Sequence, residues 1–596
     1  MSIKVSDYIA SFIAAQGVRE VFLVSGGANV NIIDAISQHD KINYICNHHE
    51  QASAMAAEAY SRVTGNLGVC LVTMGPGMTN TITGIAGAWL DSIPVLYISG
   101  QVKRDNMIGD SGLRQLGVQE INAVALAQPI TKYAVCVADP QDIRYELEKA
   151  VYLAKSGRPG PVLLDIPADV QTSMIEEHEL RSFKPEIKDV AEKRRLKAQV
   201  AELVLMIKAA KRPLIFAGHG IRLAKGQENF LELANILNIP IVTSMSAHDL
   251  ISADNPLCIG RPGVFGDRAG NFATQNCDLL ISIGARLHLW NIGYNYNEFA
   301  KNAKKVIVDI DELELKKKTV HSDLPICADA HDFLKEFSEQ VSKESLPDIS
   351  TWVQKCQTWK KRYPVVLPEY AIEKDYVNSY FFTDRLAAQL KEKDIILTGV
   401  GTSFTGTLQC FKTKLGQRLI SNVGCAAMGY DLPAAIGACF ASGKKPIILI
   451  VGDGSIMMNL QELQVIKHHH LPIKIFLLNN QGYLAIKNTQ NSFFGGRLEA
   501  SDQDSGISFP DFGKVALAFE LPYMTIKDHE GIDGSIAKAL AQNGPILVDI
   551  NMSPSQPLIP KVYSMKKLDG SMDSKPIEDM YPFLDPDEMA ANMQNN

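Results

Sequence analysis

No run in this 596-residue sequence approaches the roughly 20 consecutive apolar residues that a membrane-spanning helix requires. Its first stretch, MSIKVSDYIASFIAAQGV, spaces apolar residues with a helical period and lacks the continuous apolar core of a secretory signal. Both absences point to a cytoplasmic protein with no membrane partner. Basic charge is not in excess either. The 59 Lys and Arg against 66 Asp and Glu give a net charge of −7, which offers no basic footprint for nucleic acid. The ten cysteines are scattered and form no CxxC pair. That pattern suits free thiols in a reducing compartment better than a disulfide framework. Cys46, Cys70 and Cys136 sit in apolar stretches and read as buried structural thiols. What remains is the composition of an ordinary globular protein, and the length calls for three domains around separate cores.

The most informative stretch lies in the last third. Two apolar runs, 446–451 and 473–478, have the length and bounds of buried parallel strands, with a helical pattern between them. The first leads into Gly452-Asp453-Gly454-Ser455 and the second into Asn479-Asn480. A carboxylate and a carboxamide thus leave the carboxyl ends of neighbouring strands, where open α/β sheets bind ligands. Both are oxygen ligands of the kind Mg²⁺ prefers, and Gly452 and Gly454 let backbone amides approach a phosphate. The pattern predicts a site for Mg²⁺ bound to a diphosphate.

The same alternation occurs earlier. A helix is expected over 6–16, and a strand at 21–24 runs into Ser25-Gly26-Gly27-Ala28. A strand at 42–46 precedes His48-His49-Glu50-Gln51 and a small-residue helix over 52–62, and a strand at 69–73 leads to Gly75-Pro76-Gly77-Met78-Thr79-Asn80. Taken alone, Glu50 reads as a helix N-terminal acid favoured by the macrodipole. In the middle of the chain a strand at 213–217 meets Gly218-His219-Gly220, and one at 239–243 ends on Thr243. Another at 279–283 meets Gly284-Ala285-Arg286, and one at 306–310 carries Asp309 ahead of Asp311. Charged stretches at 173–195 and 343–375 read as separators. The fold class is α/β: three doubly wound parallel-sheet domains over 1–172, 196–340 and 376–560, followed by a tail at 561–596.

The G-D-G-S…N-N pattern resembles the thiamine diphosphate signature, and the chain resembles the acetolactate synthase and pyruvate oxidase superfamily from end to end. The resemblance implies three cofactors: thiamine diphosphate, Mg²⁺ and FAD. It implies a metal shell of Asp453, the Asn480 side chain and the Gly482 carbonyl, with Ser455 against the diphosphate and Tyr483 and Leu484 following. Gly401, Thr402 and Ser403 match the loop that contacts diphosphate and aminopyrimidine, and Gly26, Gly27, Pro76 and Asn80 match the first domain's cofactor turns. Met428 matches an apolar wedge that bends the cofactor, a proximity effect; a core methionine is the plainer reading. Glu50 matches the glutamate that bonds N1′ of the aminopyrimidine. Gln119 matches a glutamine facing the substrate, a neutral donor for a developing oxyanion, with a solvated loop residue as the alternative. Gly218, Gly220, Thr243, Gly284, Arg286, Asp309 and Asp311 match positions that bind FAD. Two departures stand out. Val118 replaces a phenylalanine, and Leu287-His288-Leu289-Trp290-Asn291 replaces the acidic continuation of the G-A-R segment.

The reaction follows from what stands near the metal. Pyruvate decarboxylases place a glutamate six residues after the liganding Asn, and here that position is Ile486. Their adjacent His pair is also missing from 109–120. Without that acid, the resemblance implies an acetyl anion that lasts long enough to meet a carbonyl acceptor, beside an apolar wall that favours decarboxylation. Acetolactate synthases carry a Trp in this helix, yet none lies between 482 and 506. The tail, the 260–272 stretch and N-N-Q-G-Y-L-A-I resemble a subgroup that adds a two-carbon branch from pyruvate to a nucleotide-bound ketosugar. The plainer reading of the tail is a segment packed on the last domain. The expectation is a carboligase that decarboxylates pyruvate and transfers the acetyl anion to a 2-oxo acid or a ketone. An FAD-dependent oxidase of the pyruvate oxidase type and a non-catalytic cofactor-binding homologue are the alternatives. Glu50 and Asp453 fall on different domains, which this superfamily supplies from different subunits. That implies a homodimer or homotetramer with the active site at the subunit interface.

Overall fold

The computed structural model describes residues 2–185, 190–566, 569–570 and 572–594. Within the predicted linker, 186–189 lie outside the described residues, as do 567, 568, 571, 595 and 596 of the tail.

Three six-stranded sheets follow one another along the chain. The first has the spatial order Asn43–Cys46, Glu20–Leu23, Gly68–Val72, Val95–Gln101, Val162–Pro167, Tyr133–Cys136, and every pair is parallel. The third repeats that topology with Arg418–Ile420, Ile395–Thr398, Ile447–Gly452, Ile473–Asn479, Ile546–Asn551 and Tyr523–Ile526. In the second, the order is Cys258–Gly260, Ile241–Thr243, Pro213–Ala217, Leu279–Ile283, Lys304–Asp309, Leu324–Cys327. Numbered along the chain this is 3-2-1-4-5-6, the order of dinucleotide-binding sheets. The central strands are buried on both faces, which explains their continuous apolar runs. In each sheet the order reverses between two strands whose carboxyl ends carry the glycine turns singled out above. These are Gly26 and Gly75 in the first, Gly218 and Gly284 in the second, and Gly401 and Gly452 in the third.

The first and third domains meet through two helices, Glu50–Thr64 and Asp431–Ala441, which share one apolar core. Both helices bury small residues in that core, Ala54, Ala56 and Ala57 on one and Ala434, Ala435 and Ala438 on the other, so the backbones can come close. Beside them lies a buried polar network. Arg62 pairs with Glu58 at 2.5 Å and Asp91 at 2.7 Å, and Tyr430 donates to Glu58 at 2.6 Å. Arg418 donates to the Arg62 carbonyl at 3.0 Å, adding a bond across the same interface.

Several segments differ from expectation. The charged stretch 343–375 contains the helix Ser350–Arg362, whose Trp352, Val353, Cys356 and Trp359 are buried in the central core. Their helical spacing was masked by the Lys and Arg between them. Met174–Glu176 pairs antiparallel with Ser2–Lys4, and the helix Val190–Ala209 begins inside the predicted linker. The tail docks on the central domain, not on the last. Val562, Ile577 and Met580 join its core, and Asn271 donates to the Ile577 carbonyl at 2.6 Å. Arg268 donates to the carbonyls of Met580 and Pro582. The tail and the 260–272 stretch, read separately in the sequence, are two halves of one contact.

A Cβ on Gly437 would lie 2.0 Å from the Ala56 carbonyl oxygen. Gly437→Ala is therefore expected to cost about 1–3 kcal/mol by overpacking. The check is the midpoint of chemical unfolding, and an unchanged midpoint would contradict the contact.

Candidate active site

At the first sheet's switch point, glycines let three segments converge. A Cβ on Gly26 would lie 2.5 Å from Thr73 Cβ, whereas Gly27 has open space around it. Gly75 has φ 61°, and a Cβ there would lie 2.4 Å from the Gln119 carbonyl oxygen. The loop carrying Gln119 thus packs on the Gly75-Pro76 turn. Glu50 opens its helix, with His49 as N-cap accepting from the Gln51 amide at 3.0 Å. Asn80 Nδ2 donates to Glu50 Oε2 at 2.9 Å, and a Cβ on Gly77 would lie 3.7 Å from Glu50 Oε1. Glu50, Asn80, Gln119 and the Pro76 turn therefore gather at one edge. The loop is held by Glu120, which sequence reasoning passed over. Burial pushes its carboxyl up, but the amides of Ile108, Gly117 and Leu116 outweigh this and hold it below its ordinary value.

The candidate metal ligands lie at the carboxyl ends of two neighbouring strands of the third sheet, Ile447–Gly452 and Ile473–Asn479. Asp453 is buried and accepts from the amides of Gly454 at 2.8 Å, Asn480 at 3.0 Å and Gly482 at 3.3 Å. Burial pushes its carboxyl up to about 6 despite these donors. Asn480 Oδ1 is buried with no hydrogen-bond partner among the described residues. A buried carboxylate beside an orphaned carboxamide oxygen is a donor set that a hard cation satisfies, so the residues fit Mg²⁺. A Cβ on Gly454 would lie 2.4 Å from the Tyr483 ring and 3.3 Å from Met428 Cε, so Tyr483 and Met428 meet over Gly454. Gly401, at φ 72°, caps the helix Thr402–Cys410, placing Thr402 and Ser403 in its first turn beside Gly452.

Two neighbours make protein contacts of their own. The Ser455 hydroxyl donates to Asp431 at 2.5 Å and accepts from Gly429 N at 3.0 Å, so it fixes the loop carrying Met428 and leaves only backbone for a diphosphate. Leu484 packs into the domain core.

Hydrogen bonds between the two domains join these clusters. Asn459 Nδ2 donates both to Gln51 Oε1 at 3.0 Å and to the Gly429 carbonyl at 2.8 Å, next to Met428. Asn47 Nδ2 and His48 N each donate to Glu462 at 2.9 Å. Glu462 is fully buried, and burial pushes its carboxyl up to about 7. In the sequence it is one of three polar residues in N-L-Q-E-L, and nothing local marks it.

In the central domain a cleft is lined by Gly220, Ser244, Arg286 and Asp309, with Asp91 and Arg158 facing them from the first domain. Its chemistry suits a nucleotide diphosphate: hydroxyl and guanidinium donors, and a carboxyl that burial raises to about 6. Its volume is about 150 Å³, below the roughly 300 Å³ at which small-molecule sites begin. Arg158 pairs with Asp311 at 3.0 Å, and Arg286 donates to the Leu90 carbonyl at 2.7 Å. Gly218 and Gly220 serve close packing, since Cβ atoms there would lie 2.1 Å from Gly284 O and 2.8 Å from Gly284 Cα. Thr243 is buried at its strand end.

Profiles of the thiamine pyrophosphate enzymes match within each of the three domains: the N-terminal TPP binding domain over residues 3–126, the central domain over 200–337 and the C-terminal TPP binding domain over 399–550. Fold and site thus define a thiamine diphosphate-dependent enzyme. Within that class the chain belongs to the acetolactate synthase family and is a carboligase of that type. It is 33% identical over 557 residues to the acetolactate synthase large subunit of Porphyra purpurea, covering 92% of each chain. It is likewise 33% identical over 573 residues to the probable acetolactate synthase large subunit of Methanocaldococcus jannaschii, covering 94% of this chain and 93% of the relative. Acetolactate synthase 2, chloroplastic, of Zea mays is 33% identical over 583 residues, covering 94% and 87%. No helix among the described residues is long and apolar enough to cross a membrane.

Two outcomes are expected. Asn480→Ala should weaken Mg²⁺-dependent binding of thiamine diphosphate by at least the roughly 10–100-fold seen for residues behind metal ligands, read by calorimetric titration. A carboxyl near 7 in the fold and about 4.3 unfolded contributes stability that is present below pH 4 and lost as pH rises through 7. Glu462→Gln should therefore flatten the unfolding midpoint between about pH 4 and 7; the wild-type slope persisting in the variant would refute this.

Proposed function

We propose that the protein decarboxylates pyruvate and joins the acetyl unit to a carbonyl acceptor, using thiamine diphosphate and Mg²⁺. Asp453, the Asn480 carboxamide and the Gly482 carbonyl would hold the metal, which the orphaned Asn480 oxygen supports. The first turn at Thr402 and Ser403, with the Gly452 and Gly454 backbone, would take the diphosphate. Bound there, thiamine diphosphate supplies the carbon nucleophile and the electron sink for loss of CO₂.

Glu50 would exchange a proton with a ring nitrogen of the cofactor, held in orientation by Asn80. Met428 and Tyr483 give the cofactor an apolar seat, and Gln119 offers a neutral donor to an oxyanion. Ile486 carries the choice of reaction. Its apolar side chain lines the cavity beside the metal turn and has no proton to deliver, so a carbonyl acceptor can capture the acetyl unit.

Glu50 and Asp453 come from separate sheets, and apolar side chains are exposed around both half-sites. Leu116 is 56% and Val118 79% exposed in the first, Ile486 48% and Phe494 56% in the last. These faces support a homodimer or homotetramer that completes each site. Gly220, Ser244, Arg286 and Asp309 would hold FAD in the central cleft. Flavin absorbance of the purified protein tests that loading.

The deciding experiment incubates the protein with pyruvate, Mg²⁺ and thiamine diphosphate. Acetolactate from pyruvate alone assigns a 2-oxo acid acceptor, and product only with an added ketone assigns a ketone. No CO₂ release would refute the proposal, and dye reduction without ligation would replace it with an oxidase. Glu50→Gln should lower turnover about 10²–10⁴-fold.

A further inference from the structure

A cavity of about 710 Å³ opens where the last domain, the central domain and the tail meet. One wall is the helix Leu484–Phe493, which follows directly on Gly482 and contributes Ile486. Thr405, from the helix that opens at Thr402, lies on the same cavity. Phe265 closes it from the central domain, and Tyr563 and Met572 close it from the tail. The space therefore adjoins the candidate metal and diphosphate turns. It falls within the 300–1,000 Å³ of sites for drug-sized ligands and far exceeds what pyruvate needs.

Lys561 lines this cavity and is half-buried, with no ion pair or hydrogen bond from its ammonium to any described residue. Burial lowers its pKa because no carboxylate offsets the lost hydration. Asp573, the acid on the same cavity, is solvent-exposed and already engaged elsewhere. A partly desolvated cation without a counter-charge is costly, and an anion entering with a ligand would remove that cost.

We propose that this cavity binds the carbonyl acceptor and that Lys561 binds an anionic group on it, the cavity's size favouring a phosphorylated ketone over a 2-oxo acid. The proposal rests on the carboligase reading above. In the ligation, CO₂ leaves pyruvate, a carbon–carbon bond forms between the acetyl carbon and the acceptor's carbonyl carbon, and the former carbonyl oxygen takes up a proton. Lys561 determines specificity and takes no part in that exchange.

The test uses the holoenzyme with thiamine diphosphate, Mg²⁺ and pyruvate, and compares three acceptors: dihydroxyacetone phosphate, dihydroxyacetone and 2-oxobutanoate. Wild type should favour the phosphorylated over the neutral ketone in kcat/KM. Lys561→Met should reduce that preference about 10–100-fold, through KM, by loss of a charge-assisted bond, and Lys561→Arg should restore most of it. If 2-oxobutanoate is preferred and loses its advantage in Lys561→Met, the anion contact stands with a carboxylate as its source. An equal preference in wild type and Lys561→Met, or no preference for either anion, overturns the proposal. Failure of the wild type to release CO₂ from pyruvate overturns the carboligase reading instead.

Discussion

The contact between the helices Glu50–Thr64 and Asp431–Ala441 governs the rest of the molecule. One helix opens on the candidate catalytic acid, and the other follows the loop carrying Met428. Their small residues bring the backbones close, and a neighbouring Glu58, Arg62, Asp91 and Tyr430 network is buried with its charges paired. Breaking one member would leave an uncompensated charge in the core, so the interface tolerates little change. Register along the helices fixes where Glu50 emerges relative to the last sheet. Gln51 and Asn459 lock the same geometry from the site side.

The candidate site residues are divided between two sheets of the same topology. Each places its glycine turns where the strand order reverses, and each uses that opening for a different purpose. The first presents an acid fixed by Asn80. The third presents a buried carboxylate and an unpartnered carboxamide oxygen. Without a cation, both features of the third site cost free energy, and a metal would relieve both at once. The central sheet has the dinucleotide order, and its narrow cleft is crossed by contacts to the first domain.

Much of this was legible in the sequence because strands buried on both faces leave apolar runs. Pro213–Ala217 and Leu279–Ile283 agree with expectation end for end. The edge strand Tyr523–Ile526 was not legible, since three of its four residues are at least partly exposed. Cationic neighbours concealed the helix Ser350–Arg362. Glu50, Asp453 and Asn480 stand out as candidates because each lies beside a local signature. Glu462 does not, because it acts on Asn47, 415 positions away. The Ser455 hydroxyl is committed to Asp431, a fact that only tertiary contacts reveal.

The tail's path from the last domain back to the central one sets an order of events. During synthesis, residues 561–594 emerge after all three sheets, yet they supply part of the core around Val562, Ile577 and Met580. Domains generally fold as they emerge, so the central domain must wait with that apolar surface uncovered while some two hundred further residues are made. The wall that the tail gives to the large cavity then forms after all three sheets. A nascent chain could form the turns at Asp453 and Asn480 before the cavity beside them had its last wall.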